Sequence, residues 1–182
     1  MANTLYGNVD PQVLDKAKQI KLLVCDVDGV FSDGRIYLGN EGEELKAFHT
    51  KDGFGVKALI ESGVEVAIIT GRRSNIVANR MKALNVKYIV QGQEDKLPAL
   101  NDIIELLTLE PKQVAYIGDD VADIACIEHV GLGVAVNDAH PQAKVKADFI
   151  TFTPGGFGAV RELCDLIMAQ QNTLSQAKGA SV

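Results

Sequence analysis

Short apolar runs alternate with amphipathic stretches along most of the chain. In Lys21-Leu22-Leu23-Val24-Cys25-Asp26-Val27-Asp28-Gly29 no polar position falls between Lys21 and Asp26. A run without period-two alternation predicts a strand buried on both faces, as in a parallel sheet. Similar runs occupy residues 64–70, 88–90, 114–117, 133–136 and 149–152. Between them, helical spacing predicts helices over 54–62, 75–84, 97–107, 122–129 and 141–147, with a last one over 158–171. Asp10-Pro11 reads as a helix cap and first helical residue, opening a short helix to about residue 20. Strand, helix, strand at this spacing is the mark of right-handed βαβ units. The expected fold class is therefore α/β: a Rossmann-like doubly wound parallel sheet with helices on both faces.

One stretch interrupts the alternation. Residues 35–38 and 44–49, joined by Gly39-Asn40-Glu41-Gly42, predict a β-hairpin added to the sheet. Internal repeats and low-complexity segments are absent from the sequence. Residues 1–172 read as one domain, and 173–182 as a flexible tail.

Composition narrows the partners. With 182 residues and 47% apolar content the chain can bury a core without staples. A net charge of −6 and no block of basic residues argue against nucleic acid or an acidic membrane surface. Residues 1–20 have no long apolar run, and none elsewhere approaches the roughly 20 residues of a membrane helix. Cys25, Cys126 and Cys164 lack metal-ligand spacing and sit in apolar stretches, as reduced core thiols do. A cytoplasmic location is the expectation.

Candidate chemistry collects where the strands end. Ligands of open α/β sheets bind beyond the carboxyl ends of the strands. The first strand ends on Asp26 and Asp28, the second on Thr70-Gly71-Arg72, and the fourth on Gly118-Asp119-Asp120, with Asp123 a turn later. Lys96 opens the helix after the third. Asp26 and Asp28 are two apart and share a side of the strand end. Carboxylates this close repel unless a cation intervenes, and a hard ion with oxygen ligands such as Mg²⁺ resolves that. Thr70, Arg72 and Lys96 then supply the donors a phosphoryl group needs. Positioning and charge neutralisation are most of what phosphoryl transfer requires.

These residues carry a family resemblance. Asp26-Val27-Asp28-Gly29-Val30, Ile69-Thr70-Gly71-Arg72, Lys96 and Gly118-Asp119-Asp120-Val121-Ala122-Asp123 resemble, in order, the four motifs of the haloacid dehalogenase-like hydrolases. With too few residues between motifs for a cap domain, the chain is similar to the capless subclass. Residues 48–55, Gln91-Gly92, 155–162 and 176–179 resemble the subgroup that hydrolyses 3-deoxy-D-manno-octulosonate 8-phosphate (KDO 8-phosphate) in lipopolysaccharide assembly.

The resemblance implies the following roles. Asp26 is the nucleophile, forming an aspartyl-phosphate. Asp28 is the acid and then the base. Asp26 and Asp119 give carboxylates to Mg²⁺, and Asp28 its main-chain carbonyl. Asp120 and Asp123 act behind these ligands. Thr70 and Lys96 hold phosphoryl oxygens. It also implies a homotetramer built by the hairpin, 35–49, with neighbouring subunits completing the pocket. His49, Thr50, Lys51, Asp52, Gly53, Lys57, Gly71, Arg72 and Arg80 are then candidates to bind the small-molecule sugar acid phosphate, together with Asp28 and Lys96. Arg72 would fork the substrate carboxylate. Two alternatives stand beside this reading: a phosphatase for a nine-carbon keto-deoxy sugar acid phosphate, or a non-catalytic partner domain of a sugar nucleotidyltransferase. Arg72 argues against the first, where an acid follows the Thr-Gly pair. The intact set Asp26, Asp28, Thr70, Lys96 and Asp119 argues against the second. A phosphomutase is disfavoured because no cap would retain its intermediate.

Overall fold

The computed structural model describes residues 1–177. A small ribbon, β1 (Ala2–Asn3) with β2 (Asn8–Val9), opens the chain and leads into α1 (Pro11–Ala17) and β3 (Leu22–Cys25). A hairpin of β4 (Tyr37–Leu38) and β5 (Glu44–Leu45) follows, then α2 (Thr50–Glu61), β6 (Glu65–Thr70), α3 (Asn75–Ala83), β7 (Tyr88–Gln91) and α4 (Lys96–Leu106). The second half runs β8 (Val114–Gly118), α5 (Ile124–His129), β9 (Leu132–Ala135), α6 (Pro141–Lys146), β10 (Phe149–Ile150) and α7 (Ala159–Gln170). Six strands form one parallel sheet in the order β10-β9-β8-β3-β6-β7. The doubly wound expectation is met, and β3 sits at its centre.

The unbroken apolar run explains that position. All four residues of β3 are fully buried, and alternate ones face opposite layers. Leu23 and Cys25 join a core under α1, α2 and α7, while Leu22 and Val24 join a second core with α4 and α5. Each such leucine contributes about 1.5–3 kcal/mol by leaving water. The three cysteines are free and buried, as core thiols are. Helices α2 and α7 pack closely at Gly55, where a Cβ would come within 3.1 Å of the Arg161 Cα. Gly55 therefore serves helix contact.

Four expectations change. Helix α2 starts at Thr50, earlier than its apolar period, because the His49 imidazole caps it: Nδ1 accepts from the Lys51 N–H at 3.1 Å. Gly53 and Gly55 hide this turn from propensity. Residues 49–53 are thus a helix start, not a loop, and His49 is a cap rather than the end of an edge strand. The hairpin pairs only two residues per strand, well short of 35–38 with 44–49. Residues 174–176 form a turn of 3₁₀ helix, and Leu174 and Ala177 pack on the first core. The flexible tail is therefore corrected for 173–177; the remainder, 178–182, lies outside the described residues. The ribbon at residues 2–9 was not foreseen; Tyr6 ties it to α7 by donating from its hydroxyl to Asp165 Oδ2 at 2.8 Å.

The glycine-rich segment before α7 supports the turn after β3. Glu162, buried, accepts from the Phe152 and Thr153 N–H groups at 2.8 and 2.9 Å. Asp138 Oδ1 accepts from Gly155 N at 2.8 Å, and Gly156 N donates to the Val30 carbonyl at 2.8 Å. The strand end that carries Asp26 and Asp28 is thereby braced from below. Among the described residues no helix is long and apolar enough to cross a membrane.

Candidate active site

Three adjacent strands deliver the chemistry to one rim. In the ladder Cys25 is level with Ile68 of β6 and Ile117 of β8. Residues just past those positions therefore meet: Asp26 and Asp28, then Thr70, Gly71 and Arg72, then Asp119. The main-chain N–H of Asp26 continues the ladder to the Ile117 carbonyl at 3.0 Å. Lys96, first residue of α4, reaches in from the β7 side. All seven line one cleft of about 500 Å³, with Glu94, Asp120 and Asp123. Gly29 lets the rim close. Its φ is +86°, and a Cβ there would sit 2.0 Å from Asp119 Oδ2.

The floor of the cleft is a saturated charge cluster. Lys96 is 4% exposed, and its Nζ lies 3.0 Å from Asp26 Oδ1 and 2.7 Å from Asp123 Oδ1. Asp123 takes four donors: Lys96 and the Tyr116 hydroxyl (2.7 Å) on Oδ1, and the N–H groups of Asp119 (2.9 Å) and Asp120 (3.1 Å) on Oδ2. Its lone pairs are engaged by the protein, so it orients the 119–120 turn and the Lys96 ammonium.

Asp26, Asp119 and Asp123 offer carboxylate oxygens that all lie within 4.8 Å of one another. Three acids here face one ammonium. Burial first, then Asp123, pushes the Asp26 carboxyl up to about 6. Burial, then Asp26 and Asp123, pushes Asp119 up to about 8. Burial disfavours the Lys96 ammonium, yet Asp26 and Asp123 outweigh it and hold the group above its usual value. Excess negative charge on oxygen donors fits a hard divalent cation. The third carboxylate of the cluster is Asp123 and not Asp28. The resemblance assigns Asp28 to the ion by its main-chain carbonyl, so its side chain need not join them.

Asp28 points elsewhere, into a second set of charges at the rim. Its Oδ1 is in contact with Lys46 Nζ, and its Oδ2 is 3.8 Å from Arg72 Nε. Arg72 Nη2 donates to Glu44 Oε2 at 3.3 Å, and Lys46 Nζ is 3.6 Å from Glu44 Oε1. Two acids and two bases thus form a ring, with β5 supplying Glu44 and Lys46 following just after it.

The remaining expected site residues stand apart from the cleft lining. Thr50 and Lys51 are exposed in the first turn of α2; Lys57 is half-buried farther along it, and Arg80 half-buried on α3. Asp52 and Gly53 are buried in that same turn. Asp52 Oδ1 accepts from the Arg161 N–H at 2.8 Å, which pins α7 to α2. A Cβ on Gly53 would come 2.6 Å from Arg80 Nη2. Sequence reasoning missed Tyr116, Glu44 and Lys46. A tyrosine inside a fully apolar strand was itself a signal, since its buried hydroxyl needs a partner. Glu44 and Lys46 alternate by two and share a face of the hairpin.

Comparison with known proteins places this geometry. A family model described as haloacid dehalogenase-like hydrolase matches residues 88–155. The chain is 51% identical over 179 residues to the 3-deoxy-D-manno-octulosonate 8-phosphate phosphatase of Salmonella typhimurium, spanning 98% of this chain and 95% of that protein. The chain belongs to the haloacid dehalogenase-like hydrolases. Among solved members, the Yersinia pestis 3-deoxy-D-manno-octulosonate 8-phosphate phosphatase superposes with a TM-score of 0.97 at 51% identity, over 100% of this chain and 98% of that one. The Moraxella catarrhalis enzyme of the same name, solved with a magnesium ion, a phosphate ion and a KDO molecule, has a TM-score of 0.89 at 45% identity, over 91% and 95% of the two chains. In this hydrolase the four motifs quoted above all reach the one cleft.

Proposed function

We propose that the chain is a Mg²⁺-dependent phosphatase that hydrolyses 3-deoxy-D-manno-octulosonate 8-phosphate to KDO and inorganic phosphate. The observation that carries this is the buried Asp26–Lys96 pair beside Asp119, at the floor of a cleft whose rim bears Arg72. That arrangement occurs on a chain similar over nearly its full length to enzymes of this name.

In this reading Asp26 and Asp119 would hold the cation by their carboxylates and Asp28 by its main-chain carbonyl. The bound ion neutralises phosphoryl charge and lets the carboxylates crowd together. Lys96, wedged between Asp26 and Asp123, aims Asp26 Oδ at phosphorus and faces the phosphoryl oxygens with Thr70. Asp26 forms its O–P bond as the bond to the sugar oxygen breaks, and Asp28 gives that oxygen its proton. Water then enters, Asp28 takes its proton, and the aspartyl-phosphate is cleaved to free phosphate and the regenerated carboxylate. Arg72 forks the carboxylate of the sugar acid.

The hairpin supports an assembly. Tyr37, Leu38 and Leu45 are 50%, 73% and 65% exposed, an apolar tip that water would leave uncovered. A homotetramer built on it would bring a neighbour's surface over the open cleft, where His49, Thr50, Lys51, Lys57 and Arg80 are the candidate contacts. Residues 1–172 act as one unit in the cytoplasm, at a step of lipopolysaccharide assembly. Gel filtration giving a fully active monomer would end the tetramer.

Phosphate release from the eight-carbon and nine-carbon sugar acid phosphates, with and without Mg²⁺, tests the activity. The expected result is Mg²⁺-dependent release that favours the eight-carbon ester. Silence on both, or a tenfold preference for the nine-carbon ester, overturns it.

A further inference from the structure

Glu44 is not needed for the chemistry above, yet it sits on the group that would recognise the sugar acid. Its Oε2 accepts from Arg72 Nη2 at 3.3 Å. A carboxylate can fork a guanidinium end-on, through Nη1 and Nη2, or side-on, through Nε and Nη2. Nη2 belongs to both forks. Asp28 Oδ2 already lies 3.8 Å from Nε, on the side-on edge. Glu44 takes one of the two N–H groups on Nη2, so an incoming carboxylate that needs that group must compete with Glu44 for it.

The hold on Glu44 is one-sided. Its Oε1 is buried without a hydrogen-bond partner, and the cation facing it is Lys46, 3.6 Å away. Arg72 by contrast is 47% exposed and open to the cleft. A buried carboxylate oxygen without a donor gains by moving out to water. The side chain is therefore easily displaced, provided something replaces it on Arg72.

We propose that Glu44 is an internal stand-in for the substrate carboxylate, occupying Arg72 until a carboxylate-bearing phosphate ester displaces it and so weakening the binding of such esters selectively. A ligand with the carboxylate takes over the Nη2 contact and repays the exchange. A sugar phosphate without one leaves Glu44 in place and loses nothing when Glu44 is removed. Glu44 also puts a negative charge at the mouth of a site for anions, so all substrates feel it weakly; the discriminating quantity is the ratio between two substrates. This inference rests on the proposed role of Arg72.

The test is the KM of wild type and Glu44→Gln for two esters, the eight-carbon sugar acid 8-phosphate and a pentose 5-phosphate. Glutamine keeps the shape and drops the charge. The expected result is a KM for the sugar acid ester lowered roughly fivefold, the scale of one part-exposed ion pair, with the pentose ester moved less than twofold. In an Arg72→Ala background the same change should leave the ratio of the two KM values as it was. Equal lowering for both esters would mean a general field effect and overturn the inference, as would an unchanged or raised KM for the sugar acid ester. Failure of wild type to hydrolyse the sugar acid ester at all would instead sink the functional reading itself. Glu44→Ala, read the same way, guards against residual bonding by the glutamine amide.

Discussion

The floor and the rim of the cleft use the same residue types and put them to opposite uses. At the floor, the side chains of Lys96 and Asp123 are 5% and 0% exposed, and every lone pair of Asp123 has a donor. At the rim, Arg72, Glu44 and Asp28 are 47%, 22% and 21% exposed, and Glu44 keeps one oxygen unpartnered. Buried pairs are held by low dielectric and are costly to break; exposed ones are screened and exchange freely. The floor therefore fixes geometry, and the rim can trade protein partners for ligand partners. Charge pairing alone does not distinguish the two; solvent does.

The sharpest break falls at the floor. Asp26→Asn should lower phosphate release by about a thousandfold or more, because no carboxylate remains to attack phosphorus. Turnover within tenfold of wild type would contradict the nucleophile.

Stability should separate the two regions next. Lys96→Ala leaves buried carboxylates without their ammonium and should cost about 3 kcal/mol. Arg72→Ala, at the rim, should cost under about 1 kcal/mol. Urea unfolding at pH 8 in EDTA measures both; similar losses would erase the distinction.

Metal affinity carries the pH signature of the floor. Asp26 and Asp119 are pushed up to about 6 and about 8 before an ion binds. A cation must displace those protons, so Mg²⁺ affinity should rise with pH across that window and level off above it, with protons released on binding. From pH 8 to pH 6 the loss should be on the order of tenfold or more. Calorimetry in two buffers of different ionisation enthalpy reads both the affinity and the proton count. A flat profile would show that the carboxyls are already ionised.

The smallest expected effect isolates one hydroxyl. Tyr116→Phe removes one donor from Asp123 Oδ1 while keeping the ring in the core. Asp123 should then draw Lys96 away from Asp26 and lower kcat by roughly tenfold, with KM within twofold. A change confined to KM would place the effect at the rim instead.

Much of this was legible in the sequence because it depends on local pattern. Leu22–Cys25 reads as a doubly buried strand, and Asp26, Thr70 and Asp119 stand at or just after strand ends by position alone. The site was less legible wherever a capping side chain or a distant partner decided the outcome. His49 lengthens α2 by a cap, which turns residues 49–53 from loop to helix and buries Asp52 against Arg161. Tyr116 and Asp123 are near in sequence, but their hydrogen bond becomes meaningful only when Lys96 arrives from the other side of β3.

The sequence alone determined the parallel α/β sheet, its order of motifs and the place of Asp26, the proposed nucleophile, at the end of the first long strand. Hydrophobic period and strand-end chemistry are properties of neighbours along the chain. Tertiary structure decided which carboxylate joins the cluster. It turned Asp28 toward Lys46 and Arg72 and drew Asp123 inward instead, because charges settle where donors and solvent allow, and those come from residues far apart in the sequence.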